Sequence, residues 1–87
     1  MPKYNVYLSK PHTVTETKVL DHKPTLAEMQ EMIGGYIERV NLNNPGKVMY
    51  VDEDGLAKNL EVNSFATFLT GTTIVGNAVI LDGFDLD

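Results

Sequence analysis

The sequence predicts an α+β fold: a mainly antiparallel sheet of five to six strands, with one main helix and one short helix on one face. Three observations lead there. Thr25 stands three residues before Glu28, the spacing of a capping box, so a helix starts at Thr25. Segments on either side alternate apolar and polar residues with a period of two, as half-buried strands do. Short turn signals, Lys10-Pro11-His12, Asn43–Gly46 and Asp52–Gly55, separate several of those segments, which favours antiparallel neighbours.

Lys3–Ser9 sets Tyr4, Val6 and Leu8 against Asn5, Tyr7 and Ser9 and reads as the first strand. Lys10-Pro11-His12 interrupts it, since proline cannot donate to a ladder. Thr13–Leu20, rich in Thr and Val, returns as an antiparallel partner with one face or edge in water. The helix then runs from Thr25 to Gly34-Gly35, with Leu26, Met29, Met32 and Ile33 on its core side and Glu28 and Glu31 outside. Gly34-Gly35 supplies the left-handed stop.

Tyr36–Leu42 leaves the helix as a strand, its imperfect alternation pointing to a bulge or a continued helical turn as the other reading. Asn43–Gly46 is a turn. Lys47–Val51 is a continuously apolar strand covered on both sides. Asp52–Gly55 turns the chain, and Leu56–Glu61 is expected to come back as a short strand. Asn63–Gly71 reads as a second helix, capped by Asn63 and stopped by Gly71, with Phe65, Phe68 and Leu69 expected to face the core. Thr72–Leu81 is the most apolar strand and is expected at the centre of the sheet. Asp82–Asp87 reads as an acidic tail carrying Phe84 and Leu86.

A chain of 87 residues makes one domain, here taken as 1–87. Its 43% hydrophobic and 22% charged residues match ordinary globular proteins. Cysteine is absent, so neither a disulfide nor a thiolate metal site staples the fold, which suits a reducing compartment. No stretch approaches the ~20 apolar residues of a membrane span and the start lacks a signal-peptide run, so a soluble, cytoplasmic protein is expected. Twelve acidic against seven basic side chains give a net charge of -5. That opposes direct binding to nucleic acid and favours basic protein surfaces.

Ile33-Gly-Gly-Tyr-Ile-Glu38, Asp52-Glu-Asp-Gly-Leu56, Leu60-Glu-Val-Asn63, Ala66 and Ile74-Val-Gly76 together resemble a family of small domains of unknown function found largely in phages and mobile elements. The resemblance spans about Leu26 to Leu81. It implies a phage-type accessory protein in a host cytoplasm, without an assigned catalytic activity, and it carries over no site residues.

The residues themselves offer little chemistry. Asp52, Asp54, Gly55 and Glu61 fall at four positions of a calcium loop, but Tyr50 stands where its first carboxylate belongs and the flanks read as strands, so a turn is expected instead. His12 follows Pro11 and His22 lies two residues before Pro24, both at element ends with no ligand spacing. Ser9 and Ser64 lack a partner base, and no enzyme is expected. Gly34-Gly35 lies at a helix C-terminus, where the dipole repels phosphate, and Gly71–Gly76 lacks the lysine of a phosphate loop. No cofactor is expected.

What remains is binding. Glu28, Glu31, Asp52, Glu53, Asp54, Phe84 and Asp85 are the candidate partner-binding residues, and the expected partner is a host or defence protein whose activity the domain modulates or inhibits. A sponge for a small signalling nucleotide is the other reading. A homodimer is also expected, because two short helices leave a sheet face or an edge uncovered.

Overall fold

The structure, a computed structural model, describes residues 3–42 and 46–82. Five strands and two helices follow one another: β1 (Tyr4–Ser9), β2 (Glu16–Leu20), α1 (Leu26–Ile33), β3 (Ile37–Asn41), β4 (Lys47–Asp52), α2 (Ser64–Thr70) and β5 (Ala78–Asp82). The strands form one sheet in the order β2-β1-β5-β4-β3, every neighbour antiparallel. The expected α+β architecture is thus the observed one, with five strands. β5 lies in the middle, and all but its last residue are buried.

Alternation sorts the sheet's side chains onto two faces. Val6, Leu8, Val48, Val79 and Leu81 form one core cluster with Met29 and Ile33 of α1. Met49, Val51, Ala78 and Ile80, one residue out of step with these, form a second cluster with Ala66 of α2 and Ile74. The two helices therefore serve opposite faces, where a shared face was expected. The physical reason is the long excursion 53–77, which leaves the end of β4 and folds its own helix against the side that α1 does not reach.

Local chemistry explains α1. Thr25 Oγ1 accepts from the Glu28 amide at 3.1 Å and Glu28 Oε1 accepts from the Thr25 amide at 2.8 Å, a complete capping box, a type of cap that contributes about 1 kcal/mol. Gly34, at φ 94°, ends the helix in the left-handed conformation. Leu26 is exposed rather than in the core, because the helix meets the sheet only from Met29 onward. β3 then pairs with β4 in an unbroken register from Ile37↔Asp52 to Asn41↔Val48, so neither a bulge nor a further helical turn intervenes.

Two strand expectations are corrected. Leu56–Glu61 does not return as a strand: residues 53–59 are turns, closed by Lys58 N donating to Asp54 O, Asn59 N to Leu56 O and Leu60 N to Gly55 O. Only Val62 makes a bridge, an isolated one to Val75. Thr72–Leu81 shrinks to Ala78–Asp82, since Gly76 takes φ 79° and swings the chain out of the sheet before that point. The turn expected at Asn43–Gly46 falls largely on residues 43–45, outside the described residues.

Candidate docking surface

The second helix is held by its small polar residues. Asn63, 1% exposed, is at once a helix cap and a hub. Its Oδ1 accepts from the Ala66 amide at 3.0 Å and from Ser9 Oγ at 3.2 Å, while its Nδ2 donates to Ser9 O at 3.1 Å and Gly76 O at 3.0 Å. Thr67 Oγ1 accepts from the Ile74 amide at 2.9 Å. Ala66 is the only buried residue of the helix.

The consequence corrects the expected orientation. Residues 66, 67 and 70 face the protein, so positions i, i+3 and i+4 from 65 face away. Phe65 is 47% exposed, Phe68 85% and Leu69 39%. A phenyl ring left in water forgoes roughly 2 kcal/mol of burial, and three large apolar side chains on one side of one short helix form the kind of patch that marks an interaction surface.

The acidic candidates do not form one track. Asp52 is withdrawn: its side chain is 1% exposed, Oδ2 lies 2.8 Å from Lys58 Nζ, and Oδ1 accepts from the Asp54 amide at 2.8 Å. Both carboxylate oxygens are therefore engaged, and the turn reading of Asp52–Gly55 describes what this segment does. Glu28 is occupied by the cap and lies 3.5 Å from His22 Nε2. Glu31 and Asp54 line one open groove of ≈ 470 Å³ together with Gln30, Gly35, Tyr36 and Lys58. Glu53 lines a separate groove with Glu38 and Arg39. Phe84 and Asp85 lie outside the described residues.

The histidines sit at opposite ends of β2. His12, at φ 63° in the turn before it, lies 2.6 Å from Glu61, and His22, after it, lies 2.9 Å from Asp21. The Asp21 hydrogen bond, with Glu28 adding to it, raises the His22 pKa above its ordinary value. His22 in turn lowers that of Asp21, and the Thr25 amide and hydroxyl, followed by His22, lower that of Glu28.

The segments that carried the family resemblance are brought together by the excursion. Lys58 reaches back across Gly34-Gly35, and a Cβ on Gly35 would lie 2.6 Å from its Nζ. Gly55 lies against Val75, where a Cβ would come within 2.8 Å of Cγ2. Asn63 bonds Gly76 as described. A family model, that of a domain of unknown function, matches residues 3–85. This chain belongs to the DUF3846 family. No curated protein and no solved structure matches the chain. In this DUF3846 domain, Gly35, Asp52, Gly55, Asn63 and Gly76 close the excursion onto the sheet, a structural task that leaves α2 presenting its aromatic side. No helix among the described residues is long and apolar enough to cross a membrane.

Sequence reasoning had named Phe65, Phe68 and Leu69 as core residues. Their outward orientation is legible in the same helix, because Ala66 and Thr67 make a second side, small enough for close approach to Ile74. Tyr36, exposed beside the groove of Glu31 and Asp54, carried no sequence signal of exposure.

Proposed function

We propose that this domain is a non-catalytic binding protein that docks on another protein through the outer side of α2. The observation that carries the reading is the exposure of Phe65, Phe68 and Leu69 on a helix anchored by other residues. Aromatic side chains presented in this way are the usual anchors of interfaces, entering an apolar pocket on the partner. The net charge of -5 favours a partner whose pocket has a basic rim. An accessory role of phage type, acting on a host or defence protein, is supported by the resemblance of the Gly-Gly-Tyr-Ile-Glu segment and its companions.

Charge separates this reading from a nucleotide sponge. The cleft between α1 and β2 carries Glu28 and Glu31, and the groove beside β3 carries Glu38 and Glu53. A phosphate entering either would meet carboxylates, against a single Lys18 or Arg39. Affinity capture from bacterial lysate with wild type and Phe68→Ser tests the docking reading. Phe68→Ser should melt with the wild type and lose the captured protein by about tenfold or more in affinity, as hot-spot truncations do. Equal capture by both, or by neither, would sink it.

A further inference from the structure

We propose that β2 is a self-association edge, pairing antiparallel with β2 of a second copy in a register centred on Thr17. The inference is independent of the α2 surface. β2 ends the sheet, so one row of its backbone N–H and C=O groups faces outward. Its pairing with β1 fixes which way each side chain points. Lys18 lies opposite Val6 and Glu16 opposite Leu8, on the α1 side, while Thr17 lies opposite Tyr7 and Val19 opposite Asn5, on the other.

A two-fold axis through an antiparallel strand pair keeps each side chain on its own face only when the axis passes a residue. Centred on Lys18, the pairing sets lysine against lysine. Centred on Glu16, it sets glutamate against glutamate. Centred on Thr17, it sets Glu16 opposite Lys18 of the second copy and Lys18 opposite its Glu16, two complementary pairs on one face, with Thr17 against Thr17 and Thr15 against Val19 on the other. Cross-strand pairs of this kind are the unit of sheet stabilisation.

The same register places Val14 of the second copy beside Leu20. Val14 is 89% exposed and Val19 60%, and Leu20 lines the cleft between α1 and β2 with Val6, Pro24 and Met32. Both valines would leave water on pairing. The bond from Lys10 to Glu16, 3.4 Å and exposed at both ends, is readily exchanged for the new partner. The other edge, β3, offers nothing equivalent: centring on Glu38 or Arg39 opposes like charges, and centring on Val40 opposes Arg39 to Asn41. A strand pair this short buries less than the ~1,200 Å² of a standard interface, so association falls at about micromolar concentration or above.

The test is mass against concentration by sedimentation equilibrium at low salt, on the whole chain. Wild type should approach twice the chain mass. Glu16→Lys and Lys18→Glu each oppose like charges twice and should raise the dissociation constant by about tenfold or more. An equimolar mixture of the two variants should recover the dimer, since each then meets its complement. As cysteine is otherwise absent, Thr17→Cys should crosslink to itself under mild oxidation. Val19→Cys should not, because its two copies lie roughly 14 Å apart along the strands. All four positions are exposed, and matching melting curves certify folding. A monomer at every concentration, a mixture no better than either variant alone, Val19→Cys linking as readily as Thr17→Cys, or loss of the dimer in Phe68→Ser would each overturn the proposal.

Discussion

Lys58 Nζ lies 2.8 Å from Asp52 Oδ2, and this pair ties the 53–77 excursion to the end of α1, because the same ammonium lies 3.5 Å from Gly34 O. The carboxylate is buried and the lysine is 39% exposed, so solvent screens one end only. Lys58→Met removes the partner and leaves Asp52 with the Asp54 amide. The expected cost is roughly 1–2 kcal/mol, read from urea denaturation. Gly35→Ala pushes a methyl into the position of Nζ and should cost a similar amount in the wild type, but little in Lys58→Met. A double-mutant cycle that gives simple additivity would show that the two residues do not share this contact.

Asn63 separates two roles that a sequence cannot distinguish. As a helix cap it uses only its oxygen, a task aspartate performs equally well. As a hub it also donates two hydrogen bonds, to Ser9 O and Gly76 O. Asn63→Asp therefore keeps the cap and turns both donors into acceptors facing carbonyls in a buried site. A loss of roughly 2–4 kcal/mol is expected, seen as a lowered urea midpoint. A neutral substitution would mean that capping is its whole function.

The extent to which this architecture could be read in advance follows the range of the interactions involved. Thr25 with Glu28, Asn63 with Ala66 and Gly34 at the stop of α1 act within a turn of helix, and each was placed correctly from neighbouring residues. β1 and β4 announce themselves by side-chain patterning. Leu56–Glu61 misled because Leu56, Leu60 and Val62 imitate a strand pattern, whereas the turns there are set by Asp52, Gly55 and Lys58 acting together. Phe65 and Phe68 mislead because apolar content alone does not decide which side of α2 is buried. The deciding facts are the packing of Ala66 against Met49, Ile74 and Ile80 and the bonding of Asn63 to Ser9, which is 54 positions away from Asn63 in the chain. The candidate surface was hidden for that reason, and so was the part of Gly35, whose neighbour Lys58 no local pattern could supply.

The loop before α1 should make stability depend on pH. His22 lies between Asp21 and Glu28 and holds its proton more tightly in the folded protein than in the unfolded chain. Its contribution is therefore fully present below about pH 6.5 and fades as pH rises through the raised folded value. Asp21 and Glu28 act in the opposite sense. Their folded pKa values are lowered, so their contribution is present above about pH 4 to 4.5 and is lost as pH falls through those lowered values. The contributions overlap between about pH 4.5 and 6.5, and the melting temperature should be highest there. All three side chains are in contact with water, so the effect should shrink as salt is added. The measurement is melting temperature against pH in His12→Gln, which leaves one imidazole to titrate, compared with the same chain carrying His22→Gln. The fall from pH 6 to pH 8 should disappear with His22. If it persists unchanged, a group other than His22 is responsible.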